Sequence, residues 1–368
     1  MKKSARPYIC TFIIALCTSC SVSKFIPEDK YLLDEVRIVS ETKEVKPSLF
    51  NSYIRQNPNA KWFSLIKTQY CVSGVDSTKW INRFFRKIGD APVIYDESVA
   101  LKSQEEIEKA VRNMGYMGAT VHLDKKTRKN KLKLAYRIHA GHPYKVRHVV
   151  YDIDDLVISD YMRQDSAQSL LAPGMLFDVN VLDAERQRIT KLLQNKGYYK
   201  FNKDFLVYQA DTARNTYLVD LTLRLLPYQR RKEDLPQKHR QYKVGEVNFL
   251  ADDEIMSVQE GTLEEFDSLR YKGYSMYYKG KAFLRPQVLV DFNRIRPGEL
   301  YSEQDVQNTY SNLGRLRALK YSNIRFREVN GENSTQLDAY VFLAKNKNKS
   351  MAFEVEGTNS AGDLGAAG

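Results

Sequence analysis

Cysteine is scarce in this chain. Four occur in 368 residues, at Cys10, Cys17, Cys20 and Cys71, and the first two fall in a leader-like start that is removed on processing. Acylation of the Cys20 thiol then leaves Cys71 alone, so no internal disulfide holds the fold together. Apolar runs that could cross a bilayer are missing too: the stretch from Tyr8 to Leu16 is too short. Glycine-rich phosphate loops, nucleophile elbows and carboxylate pairs at helical spacing are not apparent, so no catalytic residue and no cofactor are assigned. His139 and His142 have a spacing that suits a metal. They straddle Gly141 at the end of an expected strand with no third ligand near, and no metal site is assigned.

Acidic residues are the minority. Lys and Arg number 57 against 45 Asp and Glu, a net charge of +12. The basic residues cluster at Lys125 to Lys133, Arg230 to Arg240 and Lys345 to Lys349. These are turns and linkers, so solvated loop tips are the default reading, with an anionic membrane surface or an acidic partner as the functional one. Nucleic acid is excluded as a partner of a secreted chain. What the chain has in quantity is apolar residues, 43% of the total, enough for cores that must stand without disulfides.

The start carries a secretion signal. Lys2, Lys3 and Arg6 precede the short apolar run, and Cys17-Thr18-Ser19-Cys20 follows. Residues 1–19 read as a signal peptide cleaved ahead of a lipidated Cys20, with ordinary signal cleavage as the alternative, and residues 20–30 as a lipid-anchored linker.

Internal repetition organises the rest. Tyr144-Lys145-Val146, Val149 and Asp154-Asp155 return 98 positions later as Tyr242-Lys243-Val244, Val247 and Asp252-Asp253. Pro173-Gly174-x-Leu176-Phe177 returns 124 positions later as Pro297-Gly298-x-Leu300-Tyr301, so the later copy carries 26 extra residues between the two phrases. A third copy lies upstream: Asp96, Gly115 and Tyr116 sit 82 positions before Asp178, Gly197 and Tyr198. Modules are expected at 31–141, with an insertion at 57–90, at 142–228, and at 240–346, with an insertion at 263–285. A basic linker falls at 229–239.

Each module reads as a strand, two helices and a hairpin. In the first, Leu49, Phe50, Tyr53 and Ile54 form a helical stripe, and the second helix is capped by Asp96, faced by Ile107, Ala110, Val111 and Met114, and stopped by Gly115. Leu132, Leu134, Tyr136 and Ile138 alternate with polar residues on the closing strand. In the second, Ile189, Leu192 and Leu193 stripe the helix before Gly197, and Val219, Leu221, Leu223 and Leu225 alternate. In the third, Ser302 caps a helix, Val306, Tyr310 and Leu313 stripe it, Asn330-Gly331 turns the hairpin, and Leu337, Ala339, Val341 and Leu343 face inward. The fold class is α+β, each module being a mixed three-stranded sheet with two helices on one face. The insertions are dense in aromatics, with Trp62, Phe63, Trp80, Phe84 and Phe85 in one and Tyr271, Tyr274, Tyr277, Tyr278 and Phe283 in the other. They are expected to add strands or helices to their own sheets, a partner-binding surface being the functional alternative.

These β-α-α-β-β modules resemble POTRA domains. Together with the signal, Cys20-Ser21, Pro92-Val93-Ile94-Tyr95-Asp96 and Pro297-Gly298-Glu299-Leu300-Tyr301, they resemble the lipidated BamA/TamA-family proteins of Bacteroidetes, sometimes called TamL. The resemblance implies a periplasm-facing location at the outer membrane ahead of a β-barrel with a surface-antigen (D15) signature, and a non-enzymatic role in inserting or exporting outer-membrane proteins. Its partners would be unfolded outer-membrane proteins or a periplasm-spanning translocation partner. The chain stops at Gly368 where such a barrel would begin, and 347–368, with Met351, Phe353 and Val355 alternating, reads as the start of a truncated barrel left without structure. Partners are expected to add a strand to the second strand of a module, Tyr199 to Tyr208 or Tyr321 to Glu328. Phe201, Phe205, Val207, Ile324 and Phe326 are the candidate edge residues. The alternative is a free-standing periplasmic lipoprotein adaptor that binds an envelope protein or glycan through its aromatic insertions.

Overall fold

The computed structural model of the chain describes residues 26–27, 29–58, 78–81, 83–84, 91–212, 216–229, 235–251, 266–329, 334–346, 356–360 and 363–367. Cys20 and the leader, most of the first insertion, the Asn330-Gly331 turn and Met351 to Val355 lie outside the described residues. The chain divides into two units, the first holding residues 1–144, 176–178 and 353–368 and the second residues 145–175 and 179–352.

In the first unit, strands β1 (Leu32–Ser40), β2 (Thr120–Arg128) and β3 (Lys131–His139) form a sheet in the order β1-β3-β2. β1 runs parallel to β3 and β2 antiparallel to it. Alternation on β3 buries Leu132, Leu134, Tyr136 and Ile138 against Ile107 and Val111 of helix α1 (Glu97–Asn113) and Phe50 of a 3-10 helix, Pro47–Tyr53. The expected first helix is thus a 3-10 helix. The Asp96 carboxylate accepts from Ser98 N at 2.9 Å and Val99 N at 3.4 Å, satisfying amides that have no partner inside the helix. α1 is followed by Gly115, whose φ of +97° a side chain would resist.

The second unit holds two further sheets. Strands β4 (Lys145–Asp152), β5 (Leu206–Thr212) and β6 (Leu218–Leu225) are ordered β4-β6-β5. Helices α2 (Leu156–Gln164) and α3 (Val179–Gln194) supply Ile158, Met162, Ile189 and Leu193 to the core with Leu206 and Leu223.

The last sheet is wider than the three-stranded plan because its insertion adds strands to it, as expected of that segment. β7 (Lys243–Leu250), β10 (Leu319–Glu328) and β11 (Gln336–Lys345) repeat the three-stranded pattern, and the insertion adds a hairpin, β8 (Asp267–Tyr271) and β9 (Tyr274–Tyr278), giving the order β10-β11-β7-β9-β8. It is five-stranded because β9 pairs in parallel with Asn248, Phe249 and Leu250 of β7. Helices α4 (Pro286–Phe292) and α5 (Glu303–Leu313) cover it. Among the described residues no helix is long and apolar enough to cross a membrane.

The last residues differ from expectation. β12 (Glu356–Ser360) and β13 (Asp363–Ala367) pair antiparallel, so this stretch is not without structure. Antiparallel pairing satisfies, along the shared side of the two strands, backbone groups that a lone strand would leave open.

Candidate partner-binding edges

In each of the three module sheets the second strand, β2, β5 or β10, is an edge. An edge strand presents unpaired N–H and C=O groups along one side, which is what a strand-adding partner needs. The candidate residues fall unequally on these edges. Val207 is on β5 and exposed. Ile324 and Phe326 are on β10, the first buried and the second packed against the core.

Phe201 and Phe205 are not on a strand. β5 starts at Leu206, after a 3-10 turn, Lys203–Phe205, whose cap Asn202 accepts from Asp204 N at 2.8 Å. Phe201 is buried in the core of the middle sheet, and Phe205 packs on Phe201 and His239. The physical reason is that the turn after Gly197 must fill the space at the end of α3 with Tyr198 and Phe201 before the chain extends. Of the two histidines at metal-like spacing, His139 has its Nδ1 2.8 Å from Glu41 Oε2.

Side chains from the second helix engage each edge, at or just before its start in the first two sheets and at mid-strand on β10. In the first unit Gln104 Nε2 donates to Val121 C=O at 2.6 Å, Val121 N–H donates to Glu108 Oε2 at 3.1 Å, and Arg112 Nε donates to Ala119 C=O at 3.0 Å. In the middle sheet Arg186 donates from Nε and Nη2 to Lys203 C=O at 3.0 and 2.8 Å, and Gln194 Nε2 to Phe201 C=O at 2.8 Å. On β10 the Ile324 N–H donates to Tyr310 Oη at 2.7 Å. Gln104, Arg186 and Tyr310 occupy one helical position at the repeat spacings of 82 and 124. An added strand would have to displace these bonds at Val121 or Ile324, whereas β5 beyond Lys203 lies outside the clamp.

A second helical position was also missed. Ser103, Glu185 and Thr309, again 82 and 124 apart, are buried polar residues, and each accepts from the backbone N–H of the preceding loop: Arg55 at 3.0 Å, Leu170 at 3.0 Å and Arg294 at 2.9 Å. For Glu185, burial by itself pushes the pKa up. The guanidinium of Arg188 (Nε to Oε2 at 2.8 Å), Leu170 N–H and Ser169 Oγ outweigh it and hold the carboxyl below its ordinary value. Arg188 also pairs with Asp165. The repeat offsets, extended from the matching phrases to non-matching helix positions, were the available signal for both sets.

The middle and last sheets are joined within the second unit. Gly197 C=O accepts from Tyr242 N–H at 2.8 Å and Tyr242 C=O from Tyr301 N–H at 2.9 Å. Tyr199 sits edge-on to Tyr242 and Tyr301, with ring centroids 5.9 and 4.9 Å apart, and 5.7 Å from Phe326. Lys200 pairs with Glu328, and Asn195 Oδ1 accepts from Gln304 N at 2.8 Å. The C-terminal half of β10 is therefore engaged by the neighbouring module.

The fold defines a class: repeated α+β modules of β-α-α-β-β order. No protein-family model and no curated protein matches the chain. Among solved structures it is similar to POTRA3-5 of Haemophilus influenzae BamA, at 14% identity and a TM-score of 0.42 over 87% of this chain and 99% of that one. It is also similar to the N-terminal domain of Omp85 from Thermosynechococcus elongatus, at 12% and 0.26 over 88% and 100%, and to POTRA1-3 of Omp85 from Anabaena, at 12% and 0.26 over 88% and 98%. Likenesses at this level carry no argument about function.

Proposed function

We propose that this chain is the periplasmic, partner-binding region of an outer-membrane protein assembly or translocation factor, anchored by lipid at Cys20 and without enzymatic activity. One observation carries the reading: a single module plan recurs three times with its second strand always at the sheet edge. In the middle module no described strand pairs with that edge beyond the Arg186 clamp. Such an edge receives extended segments of unfolded clients or of a translocation partner through backbone hydrogen bonds, with little demand on client sequence. The lipoprotein-type signal and the phrases shared with lipidated BamA/TamA-family proteins support the location.

The test is photo-crosslinking from Val207 in intact cells. Adducts with outer-membrane proteins or with an envelope-spanning partner are expected, and Ala210→Pro should weaken them while circular dichroism is unchanged. Leu226 N–H donates to Phe205 C=O, so by antiparallel alternation the Ala210 N–H points away from β6 and its loss spares the sheet. Adducts with soluble envelope proteins alone would favour the adaptor instead, and unchanged crosslinking in Ala210→Pro would count against strand addition at β5. Fatty-acid labelling lost in Cys20→Ser tests the anchor.

A further inference from the structure

The 98-residue repeat superposes β4 on β7 pair for pair. β4 meets β6 as Val149↔Leu221, Val150↔Thr222 and Tyr151↔Leu223, and β7 meets β11 as Val247↔Ala339, Asn248↔Tyr340 and Phe249↔Val341. The far side of each first strand begins alike. Val146 donates to Met175 C=O at 2.9 Å and accepts from Gly174 N–H at 2.7 Å, while Val244 does the same with Glu299 and Gly298 at 2.8 and 2.7 Å.

Beyond that point the two diverge. Asn248, Phe249 and Leu250 pair with Ser275, Met276 and Tyr277 of β9, Ala251 N–H donates to Tyr277 C=O at 2.8 Å, and all three β7 residues are at most 3% exposed. The corresponding Val150 and Tyr151 are 54% and 41% exposed. Among the described residues no strand pairs with β4 on this side. By the matching register the outward backbone groups are those of Val149, Tyr151 and Ile153. The second-strand edges carry helix side chains at or near their start or, on β10, at mid-strand, and among the described residues none is bonded to the backbone of this one beyond Val146.

We propose that the edge of β4 over Val149 to Asp152 docks an extended segment of another polypeptide, running parallel to β4, with large apolar residues on the helix side alternating with polar residues on the other. It rests on the strand-addition reading but names a different strand, direction and pattern. The last module shows the occupant's form. Tyr274 and Met276 turn toward the core, and the Tyr274 ring lies 5.9 Å from that of Phe249, the position of Tyr151. The polar side follows from the other face: Leu250 and Phe342 form an apolar cluster with Tyr277, where the middle module has Asp152 paired with Arg224 at 3.1 Å.

A labelled peptide copying Gly273–Lys279 is titrated against the full chain in detergent, alongside a copy with Tyr277→Thr. Binding is expected, tighter for the second copy, with amide exchange at Tyr151 and Ile153 slowed at least about tenfold at saturation. Tyr151→Pro should weaken binding at least about tenfold by removing an outward N–H, while Tyr151→Ala, which keeps it, and Ala210→Pro should stay within a few-fold. Equal binding to a folded Tyr151→Pro chain, or absence of binding, overturns the proposal; if that variant does not fold, exchange on the unsubstituted chain decides. Protection at Tyr208 and Ala210 in place of Tyr151 overturns it too, yet leaves partner docking at β5 standing. Protection of Tyr151 without peptide, rising with protein concentration, replaces the partner with a second copy of this chain.

Discussion

The middle and last modules follow one plan with the same strand register, yet differ in what completes them. In the last, 26 extra residues supply a hairpin that closes the first strand's edge and buries Phe249. The middle module has no such segment and leaves Tyr151 half open. The same divergence appears inside. Thr309 answers the loop N–H of Arg294 with a hydroxyl, while Glu185 answers that of Leu170 with a charged carboxylate that needs Arg188 beside it. One fold position admits either a neutral or an ionic solution. The ionic one carries a heavier penalty when half of it is removed, because a buried charge without its partner keeps its desolvation cost.

That difference sets the largest expected effect. Arg188→Leu should destabilise the middle module by about 3–5 kcal/mol in denaturant titration by stranding Glu185, whereas Thr309→Val should cost the last module only about 1–2 kcal/mol. Equal losses would mean that the two solutions are energetically alike. Next, Met276→Ala should cost about 2–3 kcal/mol, since β9 acts as core for β7; Tyr151→Ala at the open edge should stay within about 0.5 kcal/mol. Comparable losses at the two sites would remove the contrast between a closed and an open edge.

Smaller again is the joint. Gly197 has φ +97°, and a Cβ there would meet the Leu300 side chain at 3.2 Å and Tyr242 C=O at 3.3 Å. Gly197→Ala should therefore cost about 1–2 kcal/mol and loosen the link to the last module. Gly174→Ala, at φ +88° with open space around it, should cost less, a difference that thermal unfolding resolves.

The smallest effect is on pH. Burial holds His239 below the ordinary imidazole value of 6.5, against the opposing pull of Leu226 C=O and Asp155. The neutral ring donates from Nε2 to Leu226 C=O at 2.9 Å and packs on Phe201 and Phe205. The unfolded chain takes up the proton first, so this contribution is complete above pH 6.5 and is lost as pH falls from there through the lower folded value. His239→Phe should flatten the stability profile in that window, and an unchanged slope would assign it to other groups.

Much of the fold was legible because it is written in local periodicity. The inward sets on β3 and β11, the Asp96 and Ser302 caps and the glycine at +97° after each of the first two second helices all follow from alternation, capping chemistry and steric freedom. The edges were legible only in part. Topology counting places β2, β5 and β10 outermost, but local pattern does not separate Phe201 and Phe205 from the strand that follows, and both are drawn toward the core after Gly197.

The module plan, the repeat and the segments that become strands depend on residues a few positions apart and are already present in the chain. Which sheet edges remain usable depends on contacts that form only once the modules have folded. Gln104 reaches Val121, Arg186 reaches Lys203 and Tyr310 reaches Ile324 across a helix and a turn, and β9 settles on β7 rather than on β10. Those outcomes turn on where a folded helix points its side chains and on which edge lies within a hairpin's reach; the repeat offsets align the helix positions but do not say which backbone groups they meet.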